Sequence, residues 1–304
     1  MNGIINVLKP PGMTSHDVVA YLRRLLGTKA VGHTGTLDPG VAGVLPICLG
    51  NATRVAQFIS ENGKSYRAEV MFGIATDSQD GFGVVLDKSK VSAEYEDAAA
   101  LISLFVGRIK QVPPMVSALK SGGKRLYELA RQGIEVDRPS REITIEHISP
   151  VSYNWNKDFP TILFDVSCSK GTYIRTLCAD WGEKLGCGAH MSYLLRTRSG
   201  PFTLESAWTL EELAEAAANQ DYGFLLPSDR GIGHLPALEV REHRIKPLLN
   251  GLSLGPKDYI VKENHLSGAS ETWVRLYGPT GDFLALGLLN DTGHIRPKKV
   301  FAPS

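Results

Sequence analysis

Long apolar runs are missing from this 304-residue chain. None reaches the roughly 18 to 20 residues that cross a bilayer, and no basic stretch leads into a signal-type apolar segment, so a cytoplasmic protein without membrane contact is expected. Closely spaced cysteine pairs are also missing. Cys48, Cys168, Cys178 and Cys187 contain no C-x-x-C pair and are expected as reduced thiols packed as small hydrophobes. Cys187 with His190 is the one zinc arrangement the spacing leaves open, and no metal site is expected. Internal repeats and low-complexity segments are absent. Excess charge is small too: a net charge of +1 does not mark a nucleic-acid binder, so any such surface must come from local clustering.

What is present is an ordinary globular composition, 43% hydrophobic and 21% charged, over a length that favours a large domain followed by a smaller one. Clustering of charge does occur. Eight Lys or Arg lie between Arg108 and Arg141 against three acids, nine lie from Arg241 onward against six acids, and Glu205 to Asp221 holds five acids and no Lys or Arg.

The hydrophobic pattern predicts a strand at Ile4 to Leu8, a turn at Lys9 to Gly12, and an amphipathic helix opened by a capping box at Thr14 and Asp17 and stopped by Gly27. The stretch from Lys29 to Gly50 carries five glycines and reads as a structured loop. Further strands are expected at Tyr66 to Phe72 and around Ile143 to His147 and Ile162 to Cys168. Helices are expected at Ala93 to Val106, Arg125 to Gln132, and Thr209 to about Asn219. Strands irregularly separated by helices argue for an α+β fold with a mixed or antiparallel sheet. From Leu235 the short apolar runs alternate with Gly, Pro and Asp turns, which predicts a small β-rich unit. The expected division is 1–230 and 231–304.

Three short motifs do not hold. Gly63-Lys64-Ser65 has Phe58 where a phosphate loop needs glycine, and Gly81-Phe82-Gly83 has Leu86 where a dinucleotide fingerprint needs its third glycine. Gly251-Leu252-Ser253-Leu254-Gly255 matches a nucleophile elbow, with Asp282 or Asp291 and then His294 downstream. An elbow requires a preceding central strand and a large parallel sheet, yet 49 residues follow Gly255, so a plain loop is expected.

The stretch richest in chemistry is Val31-Gly32-His33-Thr34-Gly35-Thr36-Leu37-Asp38-Pro39-Gly40. Asp-Pro-Gly alone is a turn former. The full string, however, resembles the G-H-x-G-T-L-D-P signature of the bacterial tRNA pseudouridine-55 synthases, the TruB family. Lys9-Pro10-Pro11-Gly12-Met13-Thr14-Ser15 resembles their K-P-x-G-x-T-S opening, and Gly50-Asn51-Ala52-Thr53-Arg54 their G-x-A-T-[KR]. Lys64-Ser65-Tyr66 is similar to their K-x-Y, and Gly171-Thr172-Tyr173-Ile174-Arg175 to their G-T-Y-I-R. The likeness runs in order from the N-terminus to about Phe202. Val41-Ala42-Gly43 departs from it, lacking the hydroxyl residue common before that glycine.

The resemblance implies a pseudouridine synthase domain with a C-terminal RNA-binding domain of the pseudouridine-synthase-and-archaeosine (PUA) type. It implies isomerisation of a uridine in the T-arm loop of tRNA, by base flipping, glycosidic cleavage, rotation and rejoining through carbon. No coenzyme or metal is implied, and a monomer without a protein partner is expected. Asp38 would be the catalytic carboxylate, Arg175 its ion-pair partner, and Tyr66 the ring stacked on the flipped uracil. His33, Tyr173, Leu194, Lys9 and Lys64 would contact the substrate. Residues of about 108–141 would form an insertion clasping the RNA, with Lys120, Lys124 and Arg125 on its backbone. A non-catalytic RNA-binding module on the same fold is the rival reading.

Overall fold

Alternation along the first strand sets the architecture. In β1 (Gly3–Lys9), Ile5 and Val7 face one side of a sheet while Ile4 faces the other, and each side meets its own hydrophobic cluster. The computed structural model describes residues 1–117, 119–130, 132–156, 158–261 and 271–301, and the side chains of residues 120 and 121 are not described. Arg131, Lys262 and the side chain of Lys120, all counted among the basic residues above, lie outside the described residues.

The capping box at Thr14 and Asp17 opens α1 (Ser15–Leu25), whose Val18, Val19 and Leu22 are buried. The glycine-rich stretch after it is not one loop. It holds β2 (Val31–His33) and β3 (Ala42–Leu49), joined by a loop of residues 34–41. Seven of the eight residues of β3 are buried. Covered on both faces, such a strand loses the alternation that would betray it. Then come β4 (Lys64–Phe72), β5 (Gly107–Gln111), β6 (Arg141–Asn154) and β7 (Thr161–Cys168). A helix that sequence patterning missed, α2 (Ile174–Leu185), leads to β8 (Ala189–Ser199), and the acidic α3 (Leu210–Ala218) follows. The helix expected from Ala93 to Val106 is shorter: it runs Tyr95–Ala100 and tightens into a 3₁₀ turn, Leu101–Leu104, before β5.

The main sheet runs β1-β3-β8-β4-β7-β6-β5, with β2 also on β3. Its pairings are antiparallel except one: β3 and β8 run parallel and pair only Ala42 with Leu195 and Gly43 with Arg196. On one face, α1 and α3 pack over β1 and β3, while α2 inserts Leu177, Cys178 and Trp181 against β4 and β7. Tyr66 and Leu194 touch both clusters, so they mark the seam between the two halves. The loop bearing Asp38 packs on this seam, since Leu37 and Val41 share a cluster with Tyr66 and Leu194.

The C-terminal unit is a second sheet of five strands, β9 (Ala237–Val240), β10 (Tyr259–Val261), β11 (Glu271–Tyr277), β12 (Phe283–Asn290) and β13 (Ile295–Val300), with α4 (Glu242–Leu249). Leu286 and Phe301 join Ile4, Val44 and Cys48 on the opposite face of the main sheet. The expected α+β class with a small β-rich unit is what is observed. Among the described residues, no helix is long and apolar enough to cross a membrane.

Candidate active site

Loop 34–41 is held from beneath by its own carbonyl groups. Ser15 Oγ accepts from Leu37 N at 2.9 Å and donates back to Leu37 O at 3.2 Å, which sinks Leu37 into the core. Pro39 O accepts from Gly12 N at 2.8 Å and from Lys9 Nζ at 3.2 Å. Arg196, fully buried on β8, donates to Gly35 O at 3.2 Å and Val44 O at 2.7 Å. With its neighbours tied down, Asp38 keeps its side chain 43% exposed beside Arg175.

Arg175 stands in the first turn of α2 with its side chain 5% exposed. Its Nε lies 3.2 Å from Asp38 Oδ2. The two terminal nitrogens go elsewhere: Nη2 donates to Val116 O at 2.8 Å, while Nη1 donates to Ser78 O at 3.2 Å and lies 3.6 Å from Asp80 Oδ2. The pairing with Asp38 is therefore through one nitrogen and one oxygen, not the two-pronged fork that a guanidinium and a carboxylate can form. Burial raises the Asp38 pKa above the ordinary carboxylate value; Arg175 opposes the shift and the negative charge of Asp80 reinforces it. Arg175 thus offsets only part of the desolvation.

Tyr66 sits on β4 opposite Arg196 of β8, and the two side chains interact. Burial holds the Tyr66 hydroxyl above its usual pKa, so it stays a protonated phenol. Tyr173 caps α2, its backbone clamped by Gln111, whose side chain accepts from Tyr173 N at 2.8 Å and donates to Tyr173 O at 3.0 Å. Leu194 is half-buried beside Tyr66 in the seam. His33 ends β2 with Nδ1 buried and without a hydrogen-bond partner among the described residues, and burial lowers its pKa.

Lys9 and Lys64 are closed off from the site. Lys9 Nζ donates to the carbonyls of Pro10, Met13 and Pro39, and Lys64 Nζ to those of Ser60 and Asn62, both amines being pushed down by burial to about 8. They hold loops rather than face a ligand. Lys124 and Arg125 are exposed on a hairpin, Lys120–Ser121 with Lys124–Arg125, turned by Gly122 and Gly123.

Sequence reasoning missed Asp80 and Arg196. Asp80 lies just before the failed dinucleotide motif at Gly81 and belongs to no motif; Arg196 carried none either. The alternative sites dissolve. Cys187 Sγ and His190 Nδ1 are turned to the carbonyls of Gly188 and Ile74, and among the described residues no cluster of three metal-binding side chains exists. Ser253 follows a helix instead of a strand, and His294 bonds Thr292.

Comparison with known proteins places the chain in a family. Residues 23–174 match the family described as TruB family pseudouridylate synthase (N terminal domain). Residues 175–232 match the tRNA pseudouridylate synthase B C-terminal domain, and 236–301 match Pseudouridine synthase II TruB, C-terminal. The chain is 53% identical over 254 residues to tRNA pseudouridine synthase B of Symbiobacterium thermophilum, covering 83% of each. It is 48% identical to the protein of that name in Streptococcus gordonii, covering 99% of this chain and 100% of the relative. Among solved structures, an H/ACA RNP bound to a substrate RNA containing 2'-deoxyuridine matches with TM-score 0.76 at 27% identity, covering 99% of this chain and 85% of the other.

Proposed function

The chain belongs to the TruB family of pseudouridylate synthases and isomerises uridine to pseudouridine in tRNA, and we propose that its target is the T-arm loop with Asp38 as the catalytic carboxylate. The observation that carries the assignment is the placement of Asp38: a part-exposed carboxylate at the sheet seam, braced by the buried Arg175 and close enough to Tyr66 to interact with it. The reaction breaks the bond between ribose and uracil N1, turns the base, and rejoins the ribose to C5. One proton leaves C5 and one is gained at N1, so nothing is oxidised, reduced or hydrolysed. An oriented carboxylate acting at sugar or base meets that need.

The uracil must leave its stack to reach Asp38, and half-buried Tyr66, Tyr173 and Leu194 offer it an apolar bed. His33 stands at the loop entrance. The basic hairpin bearing Lys120, Lys124 and Arg125 clasps the RNA arm, and the 231–304 unit is a PUA-like RNA-binding domain. The protein works in the cytoplasm as a monomer without a protein partner.

Asp38→Asn should abolish pseudouridine formation, read by carbodiimide labelling of tRNA, while tRNA affinity stays within a few-fold of wild type. Full activity in that variant would sink the assignment. Binding without conversion by the wild-type protein would favour the rival reading, a non-catalytic RNA-binding module.

A further inference from the structure

The hairpin formed by Ile74–Thr76 and Val85–Lys88 borders the site and presents apolar side chains to solvent. Phe82, Val84 and Leu86 are 86%, 69% and 68% exposed. One exposed apolar residue is ordinary on a soluble protein; four within five positions, Val85 being exposed as well, are not. The location of Phe82 is specific. Its ring lies against the backbone of Gly40, where an added Cβ would come within 2.6 Å of it, and Gly40 is two residues from Asp38. From the other side, Phe82 N donates to Asp80 Oδ1 at 3.0 Å, and Asp80 faces Arg175 through its second oxygen.

The turn bearing this ring is fixed. Val84 N donates to Asp77 Oδ1 at 2.8 Å, Asp77 N to Val84 O at 3.1 Å, and Gly81 N to Met191 O at 3.0 Å. A rigid, exposed aromatic plane loses little freedom when something lies on it. The surrounding charge narrows what that is. Asp77 and Asp80, which bind the backbone of this turn, put negative charge beside the ring, whereas exposed Lys88 lies at the other end of the hairpin opposite Ile74, so an RNA contact at the ring is to the face of a base and not to a phosphate. When one nucleotide is drawn out of a stack, its neighbour is left with an uncovered face, and aromatic side chains serve as replacement partners.

We propose that Phe82 is a stacking platform for an unpaired base flanking the uridine that enters the site, with Val84 and Leu86 extending the apolar contact. The inference rests on the RNA substrate reading above. Phe82 here is a positioning residue: it holds the neighbour so that the target meets Asp38.

The test compares wild type, Phe82→Ala, Phe82→Leu and Phe82→Tyr on a T-arm stem-loop RNA, and on the same RNA with each flanking base in turn replaced by an abasic residue. Phe82→Ala should raise KM about tenfold, the scale of one lost base stack, with kcat changing far less. Phe82→Tyr should stay near wild type, and the Phe82→Ala penalty should vanish on one of the abasic RNAs. If Phe82→Leu does as well as Phe82→Tyr, or if the penalty is the same on every RNA or falls on kcat, the ring merely braces Gly40 and the proposal is overturned. Failure of the wild-type protein to convert the stem-loop removes the substrate reading and this proposal together. Conversion with a flat Phe82 series removes this proposal alone.

Discussion

Asp38 and Asp80 share one guanidinium, and the sharing has a pH signature. Burial lifts the Asp38 pKa, and the like charge of Asp80 lifts it further. In the role proposed for it Asp38 acts ionised, so activity should fall as pH drops through that raised value. Removing the charge at position 80 lowers the Asp38 pKa, so the acid limb of kcat/KM should move to lower pH in Asp80→Asn. The plateau should fall as well, by up to about a hundredfold, because Arg175 loses one of its anchors and small misplacements of a catalytic group are expensive. A pH–rate profile that keeps its acid limb would show that the two carboxylates do not interact. Asp38, Tyr66 and Arg175 were legible in the sequence because each sits inside a contiguous motif. Asp80 was not. Its role arises only when the 77–84 turn is set beside β8 by the bonds of Gln79 and Gly81 to Met191, a contact between segments about 110 residues apart that no local pattern encodes.

At the scale of elements, the seam between β3 and β8 decides whether the site exists. The two strands meet over two residue pairs, and Gly43 makes this approach feasible: it adopts φ +129°, and a Cβ there would fall 2.3 Å from Arg196 O. Gly43→Ala combines an unfavourable backbone conformation with an overlap against main chain, which cannot swing away. We expect a loss of about 2–4 kcal/mol, read from the urea midpoint, and a larger loss of activity because Arg196 and loop 34–41 shift together. Gly27→Ala, with φ +60° and no atom within 4 Å of the added Cβ, should lose only about 1 kcal/mol. Equal losses in the two variants would mean that the seam tolerates separation. This element was also the hardest to read. Glycine-rich flanks and burial on both faces hid β3, and α2 escaped because its start at Ile174 follows a glycine-bearing turn instead of a side-chain cap. By contrast, α1 and α3 were legible to within a residue or two, since their capping boxes are written in adjacent residues and are formed as expected.

For the whole molecule, the near-neutral balance conceals how charge is deployed. Part of the basic tail serves structure: Lys299 stands 5.8 Å from the centre of the Phe58 ring, and Arg54, in the 3₁₀ turn Gly50–Val55 that follows β3, donates to Val300 O of the C-terminal unit at 2.8 Å. The insertion is different. Lys124 and Arg125 project from a two-stranded hairpin, while its base is tied to the active site through Val116 O, which accepts from Arg175. If this hairpin neutralises phosphates of the tRNA arm, replacing Lys124 and Arg125 with Glu should weaken binding and reduce its dependence on salt. Each lost phosphate contact flattens the slope of log affinity against log salt by about 0.7–0.9, so the double variant should lose between one and two units of slope. Binding measured across a salt series separates this from a folding defect, which would lower the active fraction and leave the slope intact. Because Asp38, Tyr66 and Arg175 are untouched, single-turnover conversion of RNA that is already bound should proceed at close to the wild-type rate. An unchanged slope would place the phosphate contacts elsewhere, and a large fall in the single-turnover rate would mean that the hairpin acts on Arg175 through Val116 rather than on the RNA.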